Sequence, residues 1–182
     1  MMIRTALLLA ATVSLSACGS GMDNTTAGNT DTASARPTPA KGVLADALGK
    51  PGSGRFAAAA KEAGMEPVFK GPGPYTLFMP SDAALGGAGN LGANKEALTR
   101  LISAHILPGT ILAEDIGHAI DANDGKAQLK TMAGDTLTAT RDGDRIKLAG
   151  PDGGTATVTA ANEVYANGVV HRVDGVLKPA SR

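Results

Sequence analysis

The run TLTATRDGDRIKLAGPDGGTATVTAANEVYANGVVHRVDGVL, residues 136–177, decides the fold. Within it apolar residues alternate with Thr, Lys and Arg in short stretches: Thr136–Thr140, Arg145–Leu148, Ala156–Thr159, Glu163–Ala166, Val169–Val173 and Val176-Leu177. Residues that favour tight turns lie between them, namely Asp142-Gly143, Asp152-Gly153-Gly154, Asn167-Gly168 and Asp174-Gly175. Period-two stretches joined by Asp-Gly and Asn-Gly turns predict antiparallel strands. From Val169 onward the same period puts Val169, His171 and Val173 on one face, with Val170 and Arg172 on the other.

Upstream the period lengthens. Val43-Leu44 and Ala47-Leu48 have helical spacing, with Gly49 as a stop. Ser53 can cap a second helix over 54–63, which places Phe56, Ala59, Ala60 and Ala63 on one side and Gly64 just past the end. Asn94 caps a third, in which Leu98, Leu101, Ile102 and His105 recur at i, i+3, i+4 and i+7. Tyr75–Met79 is one earlier strand. Helices first and clustered strands afterwards predict an α+β fold, with short N-terminal helices packed on an antiparallel β-sandwich or wedge, and not an alternating βαβ array.

Composition narrows the function. The 182 residues carry 17 Lys+Arg and 17 Asp+Glu, so there is no global basic field with which to hold nucleic acid, and none is expected as a partner. Glycine, at 24 residues, is roughly twice its usual share of about 7%, and the turns above account for the excess. Aromatics make up 3% and Trp is absent, so the core must be built mainly from Ala, Val, Leu and Ile. The lone cysteine, Cys18, excludes an internal disulfide framework and any Cys-cluster metal site.

Cys18 follows Met1-Met2-Ile3-Arg4, an apolar run from Ala6 to Val13, and Leu15-Ser16-Ala17. This order is that of a signal peptide, too short to span the roughly 30 Å hydrocarbon core. Leu15-Ser16-Ala17-Cys18 resembles the bacterial lipobox, which implies removal of residues 1–17 and acylation of Cys18 by two or more chains, enough for stable anchoring. Gly19 after the cysteine implies the outer membrane if the host is Gram-negative, facing the periplasm or the cell surface. Residues 18–41 then form a lipidated cysteine and a Gly, Ser, Thr, Asn and Pro-rich tether, too poor in apolar residues to fold. As a flexible coil it spans roughly 25 Å, with a limit near about 80 Å when pulled straight. Residues 42–182 are one domain.

Three blocks in that domain stand out: Gly71-Pro72-Gly73-Pro74-Tyr75-Thr76-Leu77-Phe78-Met79-Pro80-Ser81-Asp82-Ala83-Ala84-Leu85, then Leu101-Ile102-Ser103-Ala104-His105-Ile106-Leu107-Pro108-Gly109, then Asn167 to Pro179. In this order and spacing they resemble the fasciclin-like domain over essentially all of residues 42–180. The resemblance marks Thr76, Phe78, Pro80, Asp82, His105, Pro108, Gly109, Asn167, Gly168, His171, Asp174 and Pro179 as family-motif positions. Physically they read as architectural. Pro74 and Pro80 bracket a strand, Ser81 or Asp82 caps the next helical turn, and Asp174-Gly175 is a turn. His105, on the apolar face of the third helix, is expected to be a neutral core histidine, and His171 a core-side residue bonded to backbone. Leu85 stands where the family usually has Phe, and Ala104 where Tyr commonly precedes the His. A recognition role carried by that Tyr–His pair therefore does not transfer.

Rival chemistries find little support. Gly87-Ala88-Gly89-Asn90-Leu91-Gly92 matches a dinucleotide fingerprint as a string but does not directly follow a strand. Asp121-Ala122-Asn123-Asp124-Gly125 lacks the glycine and glutamate spacing of a calcium loop. His105, His118 and His171 have no metal-ligand spacing, and nothing favours a Ser81, His171, Asp174 assembly. No cofactor, metal or catalytic residue is expected. The reading is a non-catalytic, lipid-anchored cell-envelope module for adhesion or protein–protein interaction. Its partner would be the membrane through Cys18 and an envelope or extracellular protein or glycan. The alternative is an envelope small-molecule or glycan-binding protein using a groove between helices and strands.

Overall fold

The computed structural model describes residues 42–88 and 94–181. The expected signal peptide 1–17, Cys18, the tether 18–41 and most of the Gly87–Gly92 string lie outside the described residues. Among the described residues, six helices and seven strands run in the order α1 Leu44–Leu48, α2 Gly54–Glu62, α3 Glu66–Lys70, β1 Tyr75–Pro80, α4 Asp82–Gly87, α5 Lys95–Ala104, β2 Ile106–Pro108, α6 Ala113–Ala122, β3 Lys126–Lys130, β4 Thr136–Asp142, β5 Arg145–Ala149, β6 Thr155–Tyr165 and β7 Gly168–Val173. The α+β class is thus correct.

The strands form one sheet in the order β2-β1-β7-β6-β5-β4-β3, not the two sheets of a sandwich. All neighbours are antiparallel except β1 and β7, which run parallel with Leu77 opposite Val170 and Phe78 opposite His171. The two edges meet: the Met132 N–H, just past β3, donates to the Ile106 carbonyl of β2 at 2.8 Å, which leaves the sheet nearly closed.

β1 and β7 are buried on both faces. Leu77, Met79 and Val170 lie under the helices with Leu44, Phe56 and Phe69, while Phe78 and Val173 join Leu137, Leu148 and Val158 around Ile116 and Ile120 of α6. The three phenylalanines are fully buried. Phe56 meets Phe69 edge-on at 6.3 Å, and the histidine rings extend this small aromatic set, His105 against Phe56 and His171 stacked on Phe78 at 5.4 Å.

Four expectations are corrected. The separate strands expected at Ala156 and Glu163 are one strand, β6, whose register shifts between Val158 and Glu163, with Asn162 in the left-handed region at φ 60°. Such a bulge bends a strand without ending it. Val176-Leu177 is not a strand. Ser53 does not cap α2: the Asp82 carboxylate accepts from the N–H groups of Gly54 (3.3 Å) and Arg55 (2.7 Å), and the Ser53 hydroxyl accepts from Arg172 instead. α3, α6, β2 and β3 have no counterpart in the sequence-based assignment.

Because the cap of α2 is supplied from 27 residues away, Asp82→Ala is expected to cost about 1 kcal/mol or more. Ser53→Ala should leave the start of the helix intact. Urea unfolding gives the first quantity and amide exchange at Gly54 and Arg55 the second.

Candidate functional site

The family-motif positions lie along the parallel β1–β7 pair and at both of its ends, with Asn167 and Gly168 beside Tyr75 at one end and Pro80, Asp82 and Asp174 near Val173 at the other. Asn167 sits in that turn. Its Oδ1 accepts from the Leu44 N–H at 2.7 Å, and its Nδ2 donates to the carbonyls of Phe69 (3.0 Å) and Gly71 (2.8 Å). Its own carbonyl accepts from the Tyr75 N–H at 3.1 Å. The carboxamide thereby joins α1 to the end of α3, and the main-chain carbonyl holds the entry to β1. The chains pass so closely that a Cβ on Gly73 would collide with the Asn167 carbonyl, and one on Gly168 with that of Tyr75.

Thr76 works in the same manner. Its hydroxyl donates to the Gly109 carbonyl (2.8 Å) and accepts from the Ile111 N–H (2.9 Å), fixing the turn after Pro108, in which Gly109 takes φ 95°. Pro80 closes β1 opposite Val173, and the Ser81 hydroxyl accepts from the Ala84 N–H to cap α4. Asp174 accepts from the Thr157 N–H at 2.6 Å and its own N–H returns to the Thr157 carbonyl, while Gly175 leaves no room for a Cβ against Thr155. Pro179 is half-buried in the C-terminal segment beyond them.

Both buried histidines spend both ring nitrogens on the main chain. In His105, Nδ1–H donates to the Leu101 carbonyl at 2.8 Å and Nε2 accepts from the Leu177 N–H at 3.1 Å, while the His105 carbonyl accepts from the Phe78 N–H. Only the neutral ring, with its proton on Nδ1, satisfies this arrangement. Complete burial, against a weaker opposing pull from the Leu101 carbonyl, lowers its pKa to about 4. His171 donates from Nε2 to the Ile111 carbonyl (2.9 Å) and accepts at Nδ1 from the Asn162 N–H (3.3 Å), and burial lowers its pKa too. Ser81, His171 and Asp174 each bond to different backbone groups, so they do not work together as a relay. His118 is exposed on α6, and among the described residues no group of three His, Cys, Asp or Glu could hold a metal ion.

Two further clusters join residues that no motif or periodicity brings together. Asn162, at the β6 bulge, donates from Nδ2 to the Glu114 carboxylate (2.8 and 3.0 Å) and accepts at Oδ1 from the Ala113 N–H, clamping the start of α6. Asn tolerates the left-handed conformation better than most residues, the only signal available beforehand. Glu163 accepts from Arg172 at 2.6 Å and from Lys50 at 3.0 Å. Burial pushes its carboxyl up, but these two cations outweigh that and hold it below the usual range. Between α5 and the C-terminal segment lies a cleft of about 420 Å³ lined by Leu101, Val176, Arg100 and Lys178. Arg100 is already engaged, donating to the Ala180 carbonyl at 2.6 Å.

The arrangement is an internal scaffold. Among the described residues no buried side-chain polar atom lacks a partner.

Comparison with known proteins gives the same architecture a context. The family model described as the fasciclin domain matches residues 51–179. Protein sll1483 of Synechocystis sp. is 29% identical over 67% of this chain and 64% of its own length. Stabilin-1 of Homo sapiens is 30% identical over 69% of this chain but only 5% of its own. The chain thus spans under two thirds of the cyanobacterial relative and a small part of the human one. A FAS1 domain pair from the insect cell adhesion molecule Fasciclin I aligns at 20% identity over 74% of this chain and 43% of that one, with a TM-score of 0.49.

Two outcomes are expected. Asn167→Ala strands the Leu44 N–H and two carbonyls, and should lower stability by about 3 kcal/mol in urea unfolding. For His105 the unfolded chain takes up a proton near pH 6.5, whereas the native ring does so only at about 4. Stability should therefore fall as pH drops through that window, by about 3 kcal/mol in all, and level off for this group below pH 4. His105→Gln should be less stable at pH 7 and show a flatter pH profile of its urea midpoint.

Proposed function

The chain belongs to the fasciclin domain family, and we propose that it is held at a bacterial cell envelope by acyl chains on Cys18 and mediates adhesion or protein–protein contact there. Fasciclin domains are non-catalytic adhesion and binding modules, and the domain here is of that non-catalytic kind. The observation that carries the reading is the state of the motif residues. Asn167, Thr76, His105 and His171 are buried and committed to backbone partners, so what the domain offers a partner is its surface.

The anchoring half rests on Leu15-Ser16-Ala17-Cys18 and on the tether that follows. With formal net charge +0, the protein has no overall electrostatic attraction to anionic lipid, so the lipid itself must supply the affinity. The tether lets the domain stand clear of the bilayer and reach partners on the side it faces.

Membrane fractionation of cells making the full chain tests this. The wild-type chain should sediment with the envelope membranes and resist extraction by high salt, and Cys18→Ser should move into the soluble fraction. A wild-type chain that is already soluble, or a Cys18→Ser variant that fractionates identically, refutes the anchor.

A further inference from the structure

The outward face of β3, β4 and β5 carries charge that the rest of the fold does not use. Lys126 and Lys130 project from β3 and Arg145 and Lys147 from β5, all exposed, on the side opposite the apolar positions Ala127, Leu129, Ile146 and Leu148. The register sets Lys126 across from Thr140, and Thr140 across from Lys147. None of the four cations makes an ion pair among the described residues. Two carboxylates lie at the hairpin end, Asp142 opposite Arg145 and Asp144 in the turn beside it. In a chain with formal net charge +0, this is a local surplus, compensated elsewhere.

Lysines on an edge strand commonly protect it from pairing with another sheet, which accounts for Lys126 and Lys130. It does not account for Lys147, on a strand paired on both sides. From strand geometry, Lys126 and Lys147 are about 10 Å apart across the sheet, and Lys126 and Lys130 about 13 Å apart along it. The backing is firm, because the inner face of these strands packs on α6 through Ile116 and Ile120.

We propose that this face binds an acidic polysaccharide, an extended chain of sugars bearing carboxylate groups; the assignment names a partner for the adhesion reading above and rests on it. Charge complementarity selects a polyanion. Thr138, Thr140 and Gln128 between the lysines provide hydroxyl and amide groups that match sugar hydroxyls. Neutral glycans are commonly held by stacking on aromatic rings, and this face has none, so charge has to do the work. Its strand positions carry no large apolar side chain, and Met132, exposed two residues beyond Lys130, is a single apolar group beside it, too little to hold a bilayer.

The test uses the full chain carrying Cys18→Ser, so that no acyl group contributes, with polygalacturonate, neutral dextran and vesicles containing anionic phospholipid as probes. Binding to polygalacturonate is expected, weakening steeply as salt rises, with none to dextran and less to the vesicles. Lys126→Gln, Lys130→Gln and Lys147→Gln together should weaken it at least tenfold with an unchanged melting temperature. The control replaces Lys61, Lys70 and Lys95 by Gln and should have little effect. The proposal is overturned if the control variant loses as much affinity, or if the vesicles are bound in preference to polygalacturonate. A chain that captures envelope proteins but no polysaccharide also overturns it, leaving the adhesion reading intact. Polysaccharide binding without any contribution to cell or envelope attachment overturns the adhesion reading instead.

Discussion

The fold depends on one buried carboxamide. Asn167 lies in a two-residue turn between β6 and β7, the middle of the sheet, and its side chain satisfies three main-chain groups from two helical segments and the loop that follows them. Those groups lie at helix ends, where backbone has no partner of its own. Here they would otherwise be buried without one, at a cost of several kcal/mol in total. An apolar residue could fill the volume but could not make the bonds. Asp could accept from Leu44 but would face two carbonyls with a negative charge. Gly168 follows because no other residue allows β1 to approach the turn so closely.

Around this junction a chain with few aromatics obtains a dense core by burying β1 and β7 on both faces. A strand covered twice contributes apolar surface at every position, which suits the continuous Leu77-Phe78-Met79 and Val169-Val170 runs. It also requires any polar side chain there to be fully bonded. His171 meets that requirement through Ile111 and Asn162, and Arg172 through Glu163 and Ser53. His105 does the same at the end of α5, where its ring supplies both a donor and an acceptor at once. That combination is available from neutral imidazole and from no aliphatic residue.

Local patterns made much of this legible in the sequence. The Asn94 cap, the α5 stripe, Gly64 past α2 and the Asp142-Gly143 hairpin depend on near neighbours, and the structure has them. What escaped were features that depend on distant partners. Ser53 has the right identity to cap α2, yet Asp82 does so because the strand between them returns it to that spot. β6 looks like two strands because its bulge inserts unpaired residues in mid-run, and β2, three residues long, exists only because β1 lies beside it. The motif positions were recognisable by spacing, whereas the Glu114–Asn162 and Arg172–Glu163 contacts join residues whose proximity no periodicity records.

The site where the N-terminal part of the chain joins the domain has a mechanical meaning. The first described contacts are the Gly42 carbonyl, which accepts from the Ala166 N–H at 2.9 Å, and the Leu44 N–H on Asn167. Tension arriving along the chain from the N-terminal side is therefore passed to the β6–β7 turn in the middle of the sheet, and not to an edge strand that could be peeled away one bond at a time. β7 is held on both sides, by β6 and by β1, so a pull there spreads over two ladders. For any load that arrives from the N-terminal side, the junction that organises folding is also the point that resists traction.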